Sequence, residues 1–405
     1  MKVALVSEHA SPLASLGGVD AGGQNVFVAD LARALAMRGV DVTVYTRRDG
    51  AALRSRVAVG SRLEVVHVPA GPPEPIPKDE LPPHMPAFAR ALRRHWIRQA
   101  PDVVHAHFWM SGMASIGAAS GLDIPIAQTF HALGVVKRRQ QGARDTSPDG
   151  RVADELRIAL AVDRVLATST DEAFELARLG ADRRRVSVVP PGVDLDVFRP
   201  VGPTLPRSSG LRRVGVVSRL VERKGIGDLV TALAGVPGCE LVVAGGPERA
   251  RLDGDLEYRR LRQLAEGAGV AARVRFLGGV PRDQVAALIR SSDVVACVPW
   301  YEPFGMTALE AMACGVPVLT TAVGGLVDTV LDGVTGVHVP ARRSDAIAQA
   351  LRDLLSRPRL MAAMGQAGAE RARARYGWDA VAGRTLAAYS RIAEGRRGTR
   401  AAKEG

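Results

Sequence analysis

The sequence predicts an α/β fold of two Rossmann-like domains, and three observations predict it. Short β-rich runs alternate with amphipathic helical stretches along the whole chain, the pattern of parallel sheets covered by helices. At 405 residues the chain exceeds what one hydrophobic core usually holds. A Pro- and Gly-rich stretch, Pro190-Pro191-Gly192-Val193-Asp194 through Pro200 and Gly210, interrupts the alternation near its middle.

In the first half, strands are expected at Lys2–Ser7, Val42–Arg47, Leu63–Val68, Val103–His107, Ile126–Thr129, Val165–Thr168 and Val186–Val189. In the second half they are expected at Arg213–Val217, Glu240–Ala244, Val274–Leu277, Val294–Val298, Val316–Thr320 and Gly336–Val339. The domains are placed at 1–200 and 201–375. Between Gly71 and Pro86 lies a Pro-rich loop too long for a simple connection, and such loops often carry function. The tail from Arg396 is basic and small, and is expected to fray.

Composition excludes several classes. Apolar residues make up 47% of the chain, so disorder is not expected. The N-terminus runs straight into an apolar strand without the features of a signal peptide. No window reaches the ~18 uninterrupted apolar residues of a membrane span. Cys239, Cys297 and Cys314 are odd in number and lack metal-site spacing, which suits a reducing, cytoplasmic setting. The net charge of +12 invites a nucleic-acid reading, yet only five of the 54 basic residues are lysine, and no basic cluster is interleaved with aromatics. An arginine-rich coding preference accounts for the charge, with no nucleic-acid partner expected. The scarce internal lysines Lys78, Lys137 and Lys224 then become candidates for specific tasks, because a compact ammonium is not interchangeable with a guanidinium fork.

Three motifs carry chemistry. After the first strand, Gly17-Gly18 and Gly22-Gly23 precede a helix beginning near Gln24; such a loop lets backbone N–H groups approach an anion, or simply turns the chain. After the strand ending at Val217, Arg219 and Lys224 lie at a carboxyl-end strand edge, where open α/β sheets bind ligands, and two cations there could stabilise a diphosphate leaving group. The third motif, Glu302-Pro303-Phe304-Gly305-Met306-Thr307-Ala308-Leu309-Glu310, runs from a strand end into a helix. Its first carboxylate can meet a sugar and its second, in the helix, a ribose, while the N–H groups between bind sugar oxygens.

Taken together, Glu302-x7-Glu310, Arg219 with Lys224, the Gly22-Gly23 loop and Pro191-Gly192-Val193-Asp194 resemble the family 4 glycosyltransferases. Gly324-Gly325-Leu326, Asp332-Gly333-Val334-Thr335-Gly336 and Tyr376-Gly377-Trp378-Asp379 extend the likeness to nearly the whole chain. The resemblance implies the GT-B architecture, two Rossmann-like domains facing a cleft, with a final helix of about 376–395 returning to the first domain and domain closure over the donor. It implies a retaining enzyme that moves a sugar from a nucleoside diphosphate, with UDP-GlcNAc or UDP-Glc favoured and a GDP-sugar open. Arg219 and Lys224 would hold the diphosphate and Glu310 the ribose, while Glu302 and the backbone of Phe304, Gly305, Met306 and Thr307 face the sugar. His131 matches the family's histidine at a strand end facing that sugar; His105 and His107 read as satisfied structural histidines.

Within the family the chain looks closest to the mycothiol-pathway inositol-phosphate N-acetylglucosaminyltransferases, and next to sucrose-phosphate-synthase-like enzymes. That likeness implies acceptor contacts from Asn25 and Lys78, with Phe108 where those enzymes carry a phosphate-binding tyrosine and Ala132 where they carry a threonine. Lys137 joins the acceptor candidates. The acceptor is therefore an inositol phosphate, a sugar phosphate or another small polar molecule. No cofactor and no metal are expected, since Arg and Lys replace the cation; the carboxylates of Asp194-x-Asp196 sit away from the nucleotide motifs.

Other readings stay open. A membrane-associated lipid glycosyltransferase is suggested by the stretch Ala87–Gln99, which sets Phe88, Leu92, Trp96 and Ile97 beside Arg90, Arg93, Arg94 and Arg98; packing of that apolar side on a sheet is the competing account. A non-catalytic nucleotide-sugar scaffold would keep the fold. An oxidoreductase would need the three-glycine spacing that the first loop lacks, and an epimerase different second-half motifs. A homodimer is compatible with all of them.

Overall fold

The computed structural model describes residues 1–9, 11–13, 23–142, 145–208 and 210–404. The chain divides into two compact units, Met1–Gly192 with Trp378–Gly405, and Val193–Gly377. The boundary expected at 200/201 falls inside the second unit. There the Val193 N–H donates to the Tyr376 carbonyl at 2.7 Å, and Phe198 is fully buried among Phe304, Met312 and Tyr376. In the first unit Gly192 abuts the Trp378 ring so closely that an added Cβ would lie 2.5 Å from it.

The first unit holds an eight-stranded sheet built from β1 (Lys2–Val6), β2 (Asp41–Arg47), β3 (Arg56–Gly60), β4 (Leu63–Val68), β5 (Val103–His107), β6 (Ile126–Thr129), β7 (Arg164–Ala167) and β8 (Val186–Val188). Its order is β3-β4-β2-β1-β5-β6-β7-β8. All neighbours are parallel except β3 and β4. Parallel strands covered on both faces read as continuous apolar runs, which is why β1, with four of five residues buried, was legible. Strand β3, absent from the sequence expectation, is an exposed antiparallel edge with no buried residue, so it lacks a hydrophobic signal. Chain order reverses between β1 and β5, and ligands of open sheets bind at the carboxyl ends beside such a reversal.

The helix Met85–Arg98 lays Phe88, Leu92 and Trp96 into this unit's interior, while Ile97 stays 62% exposed. Its apolar side is thus spent on packing. The terminal helix Trp378–Glu404 adds Val381, Ala382, Ala388, Tyr389 and Ile392 to the core formed by Leu5, Leu31, Leu35 and Val44. Arg38 clamps Asp379 through two hydrogen bonds of 2.8 and 2.9 Å.

The second unit holds a six-stranded parallel sheet of β9 (Arg212–Val217), β10 (Cys239–Ala244), β11 (Val274–Gly278), β12 (Val294–Cys297), β13 (Val318–Thr321) and β14 (Gly336–Val339), ordered β11-β10-β9-β12-β13-β14. Strand β13 starts two residues later than expected, because the Val316 N–H turns back to the Ala311 carbonyl at 3.0 Å and Pro317 has no N–H to offer. Here the order reverses between β9 and β12, bringing the segments after Val217 and Cys297 side by side. Asp194 turns inward on its own backbone, Oδ1 accepting from the N–H of Asp196 at 3.0 Å and of Val197 at 3.3 Å.

Candidate active site

In the second unit the reversal point gathers the sequence-predicted donor residues. After β9 a short turn, Glu222–Lys224, ends at Gly225, whose φ of +71° is left-handed. A Cβ there would lie 2.0 Å from the Val298 carbonyl, so only glycine lets this turn press against the segment after β12. The contact is reinforced by the Trp300 N–H, which donates to the Arg223 carbonyl at 2.8 Å. It sets the Lys224 ammonium in direct ion pairing with Glu302 Oε2, each side chain only 19% exposed.

Charge around this pair is unequal. Burial pushes the Glu302 carboxyl up, yet Lys224, with Arg223 and Arg219, pulls harder and holds its pKa below the ordinary carboxylate value. Burial likewise holds Arg223 below its usual value, against the attraction of Glu302. Three cations thus face one carboxylate, a balance suited to an incoming polyanion. Arg223 was missed in the sequence, where it was one more arginine in an arginine-rich chain.

The loop after Glu302 is fixed from below. The Gly325 N–H donates to the Glu302 carbonyl at 3.0 Å, and a Cβ on Gly324 would lie 2.1 Å from that oxygen. Gly305, at φ +93°, opens the helix Met306–Ala313, whose start has no side-chain cap. Its leading N–H groups and the positive end of its dipole therefore suit a ligand oxygen. Thr307 Oγ1 donates to the Val217 carbonyl at 3.1 Å, anchoring the helix start to β9. The Phe304 side chain belongs to the core, leaving its backbone for any ligand. Glu310 follows one turn into the helix. Lys224, Glu302 and Glu310 all act on the half-buried Cys297 residue, whose thiol desolvation pushes up to about 12.

In the first unit, Phe108 and His131 are two of only three non-glycine residues with positive φ among the described residues, at +78° and +62°. Such backbone strain concentrates at functional sites. Phe108 follows β5 and His131 follows β6. His131 Nε2 lies 3.0 Å from His107 Nδ1, and the His107 ring lies 4.1 Å from that of His105. His105 in turn meets the Tyr389 hydroxyl at 2.7 Å and Thr129 Oγ1 at 2.9 Å. Burial holds His105 and His131 near about 3 and keeps His107 well below the usual imidazole value, the neighbouring histidines adding to the effect at His107 and His131. All three rings are neutral at pH 7.

His105 is a satisfied structural histidine, as expected; His107 is not. Its Nε2 is buried without a partner among the described residues. An orphaned N–H is rarer than an orphaned acceptor, so the His107 proton sits on Nδ1 and is donated to His131 Nε2. The His131 proton is then on Nδ1. Sequence position alone could not show this, because the pairing depends on the register of β5 and β6.

Around Phe108 the structure assembles cations. Lys78 Nζ lies 5.5 Å and the Arg151 guanidinium 5.0 Å from its ring centroid. Arg151 was missed in the sequence. It is 2% exposed, bound to Glu155 at 2.8 Å and to the Ala132 carbonyl at 2.7 Å. Lys137 stands behind it: its ammonium meets Asp145 at 3.0 Å and Ser147 Oγ at 2.8 Å, and Ser147 also meets Arg151 at 3.2 Å. Thr146 Oγ1 donates to Asp79 at 2.6 Å, tying this segment to the turn Lys78–Glu80. Asn25 is buried, with Nδ2 donating to the Ser11 carbonyl at 3.1 Å. Gly23 begins the helix Gly23–Met37, whereas Gly22 lies outside the described residues.

Comparison with known proteins identifies the family. The sequence profile of Glycosyltransferase Family 4 matches residues 21–197, and that of Glycosyl transferases group 1 matches residues 205–371. The chain belongs to these glycosyltransferases, and its two Rossmann-like units are those of the GT-B fold. It is 39% identical to a D-inositol 3-phosphate glycosyltransferase of Xylanimonas cellulosilytica over 416 residues, covering 98% of each chain. A protein of the same name from Mycolicibacterium smegmatis is 38% identical, covering 96% of this chain and 91% of that one. Among solved structures, sucrose-phosphate synthase from Thermosynechococcus elongatus superposes with a TM-score of 0.88 at 32% identity, over 96% of this chain and 98% of that one. HepE of Anabaena, solved with UDP and glucose, shares the fold at a TM-score of 0.74 and 19% identity, over 96% and 99% of the two chains. Among the described residues no helix is long and apolar enough to cross a membrane.

Proposed function

We propose that this glycosyltransferase moves a sugar, with retention of configuration, from a UDP-sugar to an inositol phosphate or a closely similar phosphorylated polyol in the cytoplasm. The observation that carries the donor half is the Lys224–Glu302 pair set among Arg219 and Arg223 beside the uncapped helix at Met306. On donor binding the cations take the diphosphate and Glu310 the ribose. Glu302, kept ionised by its cations, accepts hydrogen bonds from sugar hydroxyls. No metal is required, because the positive charge a divalent ion would bring is already built in.

For the acceptor, Lys78 and Arg151 converge on the face of Phe108 and together offer an ammonium and a guanidinium to one phosphate. Arg151, bonded to Glu155, Ser147 and the Ala132 carbonyl, brings its guanidinium to the Phe108 face where tyrosine and threonine are replaced by Phe108 and Ala132. The names of the relatives from Xylanimonas and Mycolicibacterium support an inositol phosphate. A lipid acceptor is less favoured, since Phe88, Leu92 and Trp96 are committed to the interior.

The test is turnover followed by mass spectrometry, pairing UDP-GlcNAc, UDP-Glc and GDP-sugars with inositol 1- and 3-phosphates, hexose phosphates and free inositol. Transfer from a UDP-sugar to a phosphorylated polyol, and none to free inositol, is expected. Equal turnover of free and phosphorylated inositol would overturn the acceptor assignment, and donor use confined to GDP-sugars the UDP assignment.

A further inference from the structure

Away from these residues, the first unit carries a cavity of about 300 Å³ whose lining, mostly apolar in area, includes Arg48, Arg56, Arg94, Arg98, His67 and His95. It opens where the segment after β2, the start of β3 and the end of β4 meet the helix Met85–Arg98. It shares no residue with the donor or acceptor groups described above. Of its four guanidinium groups, Arg56 is paired with Glu64 at 2.9 and 3.0 Å. Arg48 is held by backbone carbonyls, from Gly50 at 3.3 Å and Ala51 at 2.6 Å, so its charge is oriented without being neutralised. His67 is fixed by Nδ1 on the Arg54 carbonyl at 2.7 Å.

From this charged, concave lining we propose that the cavity is a second ligand site, one that binds a small soluble polyanion carrying at least two phosphate groups.

The electrostatics support the geometry. Burial holds the His95 imidazole below the usual value, and the charged groups acting on it, Arg56, Arg98 and Arg94 against the single carboxylate Glu64, add to that lowering. Planar guanidinium forks match phosphate oxygens in bidentate fashion, and arginines arriving from a loop, a strand and a helix can grip more than one phosphate. The volume sits at the small end of ligand pockets, which suits a compact polyphosphate. Concavity favours a soluble ligand over a flat lipid surface, although a phospholipid headgroup offers the same chemistry.

The test uses the full chain with saturating UDP, so that the diphosphate site of the second unit is already filled. Calorimetric titration with inorganic pyrophosphate and with tripolyphosphate should show binding, weakening as NaCl is raised. The double variant Arg94→Glu/Arg98→Glu should bind at least tenfold more weakly, while Arg94→Lys/Arg98→Lys keeps part of the affinity. Both positions are exposed, so an unchanged melting temperature and unchanged UDP affinity should accompany the loss. The proposal is overturned if neither anion binds, if the glutamate variant binds as well as the parent, or if phosphatidylglycerol vesicles bind and free polyphosphate does not compete.

Discussion

His107 Nδ1 and His131 Nε2 hydrogen-bond across 3.0 Å, the unpartnered His107 Nε2 favouring His107 as the donor, and the His131 ring sits on a left-handed backbone at φ +62°. The strained residue is thus fixed in tautomer as well as position, with its own N–H on Nδ1. Replacing His107 by Phe removes the donor but keeps an aromatic ring. We expect kcat to fall by at least tenfold, with donor affinity little changed, while His107→Asn, whose side-chain amide can still donate, recovers part of the rate. Equal kcat in the parent and both variants would remove His107 from the account.

The buried histidines also set the pH dependence of stability. Unfolded, each would titrate near 6.5, whereas in the fold His105 and His131 titrate at about 3 and His107 well below 6.5. Below pH 6.5 the unfolded chain therefore binds more protons, so stability falls as pH falls towards the folded values. Glu172, raised by burial from 4.5 to about 7, acts in the opposite direction between those values and offsets one proton. With three imidazoles against one carboxyl, the histidines prevail, and stability should fall between pH 6 and 5. Urea midpoints measured across that interval check it; a flat profile would mean the rings are not buried as neutral groups.

Lys224→Ala and Glu310→Ala should each weaken UDP binding by roughly 1.5–3 kcal/mol without unfolding the protein. Lys224→Ala has a further signature. Glu302 loses the cation that keeps its pKa low while its burial remains, so its carboxyl should titrate higher. Calorimetry of UDP binding, with NMR titration of Glu302, would detect both; unaltered affinity in the two variants rejects the nucleotide assignment.

On the acceptor side, Lys78→Ala should raise the KM for inositol phosphate and leave UDP affinity alone, the kinetic form of lost ground-state binding. Arg151→Lys is expected to do the same more severely, since an ammonium cannot reproduce the fork that spans Glu155, Ser147 and the Ala132 carbonyl. Abolished nucleotide binding in Lys78→Ala would show that the donor and acceptor groups had been divided wrongly.

Turnover should persist in EDTA, and the product linkage should be α from an α-linked donor, read from the anomeric coupling constant by NMR. Activity lost with EDTA and restored by Mg²⁺ would argue for a metal after all, and a β linkage against retention.

What the sequence made legible follows from the range over which each signal acts. The strands β4, β5, β6 and β14 are short β-rich runs, and their ends were placed to the residue. Strand β3 gives no such signal because nothing buries it. Lys224 and Glu302, which the fold brings into contact, stood out because lysine is scarce and the carboxylate opens a short motif. Arg151 and His107 did not, since their roles arise only when distant segments meet at Phe108 and at the ends of β5 and β6. The domain boundary was misplaced because Pro and Gly mark where the chain turns, while the packing of Val193 and Phe198 decides which core it joins.

The return of the terminal helix to the first unit fixes an order of assembly. Residues 193–377 are contiguous, so the second unit has all of its chain once Gly377 leaves the ribosome. The first unit, although its first 192 residues are made earliest, still lacks Val381, Ala382, Tyr389 and Ile392 at that moment. During synthesis the second unit can therefore mature while the older first unit waits with part of its interior open.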